Sequence, residues 1–316
     1  MTVPGSPIVE RQTAPTMYFI GVTTGGSSIM RLFPVWAEIL GLRDAQLVGV
    51  DLALHDAPER YRAVVTQIRE DPLSLGALVT THKLDLLEAA RDLFDELDRY
   101  AMLCNEVSNI AKRDGRVLGF AKDPITGGRT LAEMLEPGYW ARTDAHVLCL
   151  GAGGTAAALA VHLLNGADRP RRFVAVNRSH GGLDNLRSVV AQLPQGAEVE
   201  YVLSDDPSWN DRLVEELPPG SMVINATGMG KDRPGSPISD DATFPEHGVA
   251  WELNYRGELE FLHQARRQEA SRGLRIHDGW RYFVHGWVEH IAEVFGVEMD
   301  PALFARLADT ADELRG

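Results

Sequence analysis

Cysteine is scarce: Cys104 and Cys149 are the only two in 316 residues. With no Cys/His spacing suited to a metal, this excludes a disulfide framework and a zinc-ribbon type of site, and it fits a reducing, cytoplasmic setting. Cys149 lies inside an apolar run and reads as a small core residue. A basic excess is also missing. Lys and Arg number 31 against 45 Asp and Glu, a formal net charge of −14. Such a chain is a poor partner for nucleic acid or for an anionic membrane surface, although a local pocket can still oppose the global field and hold an anionic small molecule. No apolar run approaches the roughly 20 residues that span a bilayer. The opening "MTVPGSPIVERQTAPT" has no basic start leading into an apolar core, so it reads as a loose leader and not as a signal peptide. Internal repeats and low-complexity tracts are absent.

What is present is an alternation of strands and helices. "MYFIGV" reads as a strand closed by the turn-forming "TTGGSS". "IMRLFPVWAEILGL" then carries Leu32, Val35, Trp36, Ile39 and Leu40 at helical spacing. "AQLVGVDL" (strand), "PERYRAVVTQIRED" (amphipathic helix), "LGALVTT" (strand) and "KLDLLEAARDLF" (helix) continue the rhythm, which implies a parallel sheet with crossover helices. "NEVSNIAKRDGRVLGFAKD" differs. Two short extended runs flank a "KRDG" turn, so an antiparallel pair is expected at the edge of that sheet. From Ala145 a second alternation runs through "HVLCL", "RRFVAVN", "EVEYVL", "SMVINAT" and "GVAWELNY", with helical segments between. Two helices close the chain. The expected organisation is therefore α/β, with a mixed-sheet domain over 1–130 completed by helices in 275–316, and a dinucleotide-binding domain of Rossmann type over 131–274.

The second alternation opens on "HVLCLGAGGTAAALAVHLL". Gly151 lets the chain turn sharply out of the strand. Gly153, lacking a side chain, lets the backbone approach a pyrophosphate, and Gly154 and Thr155 open a helix whose free N–H groups face that anion. A bare glycine triplet is also what an ordinary tight turn looks like. The strand-turn-helix context is what favours a dinucleotide. The next strand ends at Asn177-Arg178-Ser179. An acidic residue there would take the ribose hydroxyl of NAD; an arginine suits the 2′-phosphate of NADP. NADP is thus the expected cofactor, with NAD as the alternative.

At these residues the chain resembles the shikimate/quinate dehydrogenase family, over nearly its whole length and as a distant member with an altered substrate pocket. The family's Gly-x-Gly-Gly turn, Asn-Arg-Thr strand end, Asn-Ala-Thr segment and Asp-x-x-Tyr strand read here as Gly151–Gly154, Asn177–Ser179, Asn225-Ala226-Thr227 and Glu252-Leu253-Asn254-Tyr255. The resemblance implies that Lys83, closing "LVTTHK", and Asp123, closing "GFAKD", are the catalytic pair. That assignment is chemically sensible. Oxidising a secondary alcohol requires a base for the hydroxyl proton while nicotinamide takes the hydride, and a carboxylate beside a lysine fixes both the amine and the substrate hydroxyl. Without the resemblance, Lys83 reads as a solvated first-turn residue and Asp123 as a turn-former before Pro124.

The resemblance also implies substrate contacts at Ser27, Asn109, Tyr255 and Tyr282. Ile29 replaces the family's second carboxylate-binding serine, Ala77 and Ser108 stand near two of its asparagines, and Gly286 stands at its glutamine. Each change removes a polar partner, and His82, Arg281 and His285 are the candidates for new ones. The function implied is an NAD(P)-dependent oxidoreductase acting on a shikimate-like cyclic polyol. Two other readings stay open: a non-catalytic dinucleotide-binding regulatory protein, and a dehydrogenase of the methylene-tetrahydrofolate type. The expected partner is a small-molecule substrate, and a homodimer is compatible with the sequence.

Overall fold

The computed structural model describes residues 9–231 and 233–315; the first part of the expected leader, residues 1–8, lies outside them. The chain divides into two compact units. One runs to Lys122 and resumes at Gly286; the other is Asp123–His285.

The first unit contains β1 (Thr16–Gly21), α1 (Ile29–Ile39), β2 (Gln46–Asp51), α2 (Pro58–Glu70), β3 (Ser74–Val79), α3 (Lys83–Ala90), β4 (Glu96–Leu97), α4 (Arg99–Cys104), β5 (Asn109–Arg113) and β6 (Arg116–Phe120). The sheet order is β2-β1-β3-β5-β6-β4. β1 pairs in parallel with β2 and β3, whereas β5 runs antiparallel to both β3 and β6. The expected hairpin is present. The edge of the sheet beyond it is the two-residue β4, parallel to β6. β1 is buried along its whole length, which is why "TMYFIG" carries no polar alternation: both faces of a central parallel strand are covered. Tyr61, Val64, Val65 and Ile68 of α2 recur at helical spacing and pack with Leu86, Leu87 and Ala90 of α3 in one core. On α1 the buried stripe is Ile29, Leu32, Phe33, Trp36 and Ala37. Val35, expected on that stripe, is 37% exposed.

The second unit contains α5 (Asp123–Met134), α6 (Tyr139–Thr143), β7 (Val147–Leu150), α7 (Gly154–Asn165), β8 (Arg172–Asn177), α8 (His180–Val190), β9 (Glu198–Leu203), α9 (Pro207–Glu215), β10 (Met222–Asn225), β11 (Val249–Glu252), α10 (Glu260–Arg266), α11 (Glu269–Arg272) and β12 (Arg275–His277). All six strands are parallel, in the order β12-β11-β10-β7-β8-β9. This is the Rossmann arrangement, with its order reversing between β7 and β10. Leu148, Leu150, Val174, Val176, Val223 and Ala250 point to one face and meet Phe244 and Phe261 in its core. Cys149 is fully buried, as expected of a core residue, and burial pushes its thiol up to about 12.

α12 (Trp280–Phe295) and α13 (Pro301–Glu313) follow, and the division between the units falls inside α12. Within the first unit, Trp287 meets Phe19 edge-on at 4.9 Å, and the Trp36 indole donates to Leu307 O at 3.0 Å. The division at 122/123 lies before the expected 130/131, at the start of α5 and not within it. α5 belongs to the second unit because it packs closely on α7: a Cβ on Gly127 would stand 2.7 Å from Leu159, and one on Gly128 2.3 Å from the His162 ring. The division at 285/286 lies later than 274/275, because the first turns of α12 pack within the second unit, Tyr282 against Trp251 and Trp280 against Tyr255.

Candidate active site

The carboxyl ends of β7, β8, β9 and β10 open onto a cavity of ≈ 440 Å³ in the second unit, at the point where the strand order reverses. Gly151 leaves β7 with φ +108°, and a Cβ there would stand 2.5 Å from Ala226 O, so only glycine serves. Gly153 is different. Its φ is −81° and nothing lies within 4 Å of where its Cβ would be. The fold does not require that glycine, and the open space leaves the backbone accessible to a ligand. Gly153 caps α7 without a side-chain bond, so the first N–H groups of Gly154 and Thr155 stand at a bare helix N-terminus. These features fit a dinucleotide pyrophosphate.

Across the cavity, β8 ends in Asn177, whose amide donates to Ser179 O and to Ser179 Oγ, both at 3.1 Å. Arg178 between them is exposed and lines the cavity, as does Asp205 beyond β9. A Cβ on Gly182 would stand 2.5 Å from Asn177 Nδ2. The position is therefore closed to a longer residue while that amide stays in place.

A polar knot ties the ends of β10 and β11. Asn225 donates to Glu252 Oε2 at 2.6 Å, and its carbonyl oxygen accepts from Thr227 N–H at 3.1 Å and from Thr227 Oγ1 at 2.6 Å. Asn254 donates to Glu252 Oε1 through its backbone N–H (2.8 Å) and its amide (2.6 Å). Glu252 is fully buried, and burial pushes its carboxyl up to about 7 against the pull of those donors. Ala226 lies between Asn225 and Thr227, its carbonyl against Gly151. Beyond the knot, Tyr255 packs on Phe283 at 4.6 Å, and Tyr282 meets Trp251 edge-on.

In the first unit Lys83 opens α3, partly exposed, and its carbonyl accepts from Val107 N–H at 3.2 Å. His82 before it is fully buried, its Nδ1 3.2 Å from the Tyr61 hydroxyl. Lys122 is held on both sides. Its backbone N–H donates to Ser108 Oγ at 2.8 Å, and its amine pairs with Glu293 and, at 3.5 Å, with Glu289. Asp123, the next residue, is buried at the head of α5 in the second unit. Ser27 is buried just before α1, while Ile29 has no exposed surface and belongs to the helix core. Asn109, expected as a substrate contact, has no exposed surface, and its amide donates to Ala77 O (3.2 Å) and His290 O (3.4 Å), joining β3 and α12 to β5. Arg281 and His285, the other two candidates for new polar contacts, both bind Glu133.

No family model matches the chain. A curated shikimate dehydrogenase (NADP(+)) from Caulobacter vibrioides is 30% identical over 255 residues, covering 79% of this chain and 81% of that one. The chain belongs to the shikimate dehydrogenase family. Among solved structures, a shikimate dehydrogenase in complex with NADP+ aligns with TM-score 0.72 at 19% identity, over 95% of this chain and 96% of that one. The ligand-free 5-ketofructose reductase of a Gluconobacter strain aligns with TM-score 0.68 at 19% identity, over 94% and 98%. At these identities the two structures speak for the fold alone.

Among family positions, the residues expected for the dinucleotide converge on one edge of the second sheet: Gly151, Gly153, Asn177, Arg178, Ala226 and Thr227 line the cavity, with Asn225 directly beneath. Two residues there carried no motif in the sequence. Arg233, in the β10–β11 connection, lines the same cavity, and Asn254 completes the knot under Glu252. Among the described residues no group of three or more His, Cys, Asp and Glu could hold a metal, and no helix is long and apolar enough to cross a membrane.

Proposed function

We propose that the chain is an NADP-dependent oxidoreductase that interconverts a secondary alcohol and a ketone on a shikimate-like cyclic polyol. The observation that carries this is the open backbone at Gly153 in a chain of this family: a glycine the fold does not need, in a cavity lined by Arg178. Gly151, Gly153, Gly154 and Thr155 would hold the pyrophosphate, Asn177, Arg178 and Ser179 the 2′-phosphate end, and Asn225, Ala226, Thr227 and Tyr255 the far end. NADP, when bound there, supplies the hydride chemistry.

Lys83 is the proposed acid/base. In the oxidising direction its Nζ takes the proton of the substrate hydroxyl, and in the reducing direction it returns one to the ketone oxygen. Asp123 orients that amine and the hydroxyl through its carboxylate. Ser27, Asn109, Tyr255 and Tyr282 are the proposed substrate contacts. With Ile29 withdrawn into the α1 core, the family's carboxylate-binding pair is one hydroxyl short. A site lacking a partner for a buried polar group discriminates strongly against ligands that need it, so a substrate without the shikimate carboxylate geometry is favoured.

The test is oxidation of shikimate, quinate and a panel of cyclitols and hydroxy acids with NADP and with NAD, alongside nucleotide titration. NADP-linked turnover of a cyclic polyol supports the proposal. Tight NADP binding with no turnover across the panel favours the non-catalytic binder, and oxidation of methylene-tetrahydrofolate alone would favour the third reading.

A further inference from the structure

We infer that Arg233 is a second cationic clamp of the dinucleotide site, acting on the pyrophosphate shared by NADP and NAD and not on the 2′-phosphate. The inference rests on the proposed function of this cavity.

The cavity is lined by two cations on different connections, Arg178 just beyond β8 and Arg233 between β10 and β11. Their surroundings differ. Arg178 follows β8 between Asn177 and Ser179, and Asp205, beyond β9, lines the same cavity. Arg233 Nη2 donates to Thr227 O at 3.0 Å. The backbone N of Thr227 in turn lies 3.0 Å from where a Cβ of Gly151 would be. Arg233 is thereby held beside the glycine turn, where the pyrophosphate is expected, and its guanidinium keeps further N–H donors for an anion.

The support for Arg233 is local and fixed. Met229 and Arg233 form a β-bridge, closed by Gly230 N–H donating to Arg233 O at 2.7 Å. Gly230 has φ +86°, and Gly257 packs so closely on its carbonyl that a Cβ there would stand 2.2 Å from Gly230 O. The Met229 carbonyl also accepts from the Asn254 amide at 3.0 Å. So the arginine is carried on a turn braced by the β11 loop. In a chain with a net charge of −14, Arg178 and Arg233 against the one carboxylate of Asp205 leave the cavity lining net positive where a tri- or tetra-anionic ligand would sit.

The test is titration of wild type, R233A, R233K and R178A with NADP and NAD by calorimetry, with the melting temperature of each protein measured without nucleotide. Arg233 is exposed, so R233A is expected to melt as wild type does. R233A should weaken NADP and NAD by the same factor, on the order of tenfold, which corresponds to about 1.4 kcal/mol, and R233K should recover part of it. R178A should weaken NADP and leave NAD nearly unchanged. Equal affinities of R233A and wild type for both nucleotides would overturn the inference. So would a loss confined to NADP, which would make Arg233 a reader of the 2′-phosphate. Wild-type protein that bound neither nucleotide would instead remove the functional reading on which the inference stands.

Discussion

Gly151 lies directly against the carbonyl of Ala226: a Cβ on the glycine would stand 2.5 Å from that oxygen and 2.6 Å from its carbon. The contact joins the end of β7 to the end of β10, the two strands between which the order of the sheet reverses. Two glycines in one turn therefore have unlike tasks. Gly151→Ala should cost on the order of 2–4 kcal/mol of stability, from backbone clash and unfavourable φ together. Gly153→Ala should leave the melting temperature of the nucleotide-free protein within a degree or so, on the order of a few tenths of a kcal/mol, yet weaken NADP roughly tenfold or more by obstructing the pyrophosphate. Thermal melts and titrations of the two variants check this. A stable, fully binding Gly153→Ala protein would contradict the use made of that position.

Lys83→Ala should lower kcat by about 10² to 10⁴ while leaving the NADP dissociation constant nearly unchanged. Asp123→Asn should lower kcat as well and alter the pH profile of the residual activity. The check is steady-state kinetics beside direct nucleotide titration. Full turnover by Lys83→Ala would remove it from the acid/base role.

Glu252 should make stability depend on pH. Its folded-state value of about 7 lies above the ordinary 4.5. Between these values the native state binds more protons than the unfolded state, so this group's contribution is full below about 4.5 and is lost as pH rises through about 7. The shift corresponds to at most roughly 3 kcal/mol. His162 and His277 act in the opposite sense. Burial lowers both, so their contribution is present above 6.5 and lost on acidification through their depressed values. The difference between wild type and Glu252→Gln isolates the carboxyl. Urea unfolding at pH 5 and pH 8 should show the variant's stability, relative to wild type, improving as pH rises. A constant difference would mean that Glu252 does not titrate in this window.

Trp36 should report the docking of α13. Trp36→Phe removes the bond to Leu307 O and should cost about 1–2 kcal/mol. Trp36→Ala also leaves a cavity and should cost about 3–5 kcal/mol. Denaturant unfolding of both checks the ratio; equal costs would assign the whole effect to the hydrogen bond and none to the cavity.

The alternating strands and helices were legible in the sequence because parallel strands buried on both faces stand out as apolar runs. The elements that were not legible are short or overridden by packing. β4 has two residues and β12, "RIH", three, too few to show a period. The start of α5 is masked because "DPITGG" has the composition of a turn. The chain is helical from Asp123, since Gly127 and Gly128 give up intrinsic propensity to let α7 approach. The site divides in the same way. The glycine turn and Arg178 carry a motif. Arg233 carries none, because its place depends on how the β10–β11 connection folds back over Thr227.

The passage of the chain through α12 has a consequence for biogenesis. Residues up to Lys122 leave the ribosome well before Leu307, the acceptor for the Trp36 indole. The contiguous segment Asp123–His285 is complete before that acceptor exists. Nascent chains arrested just short of α13 should therefore carry a protease-resistant second unit and a first unit still open to cleavage near α1.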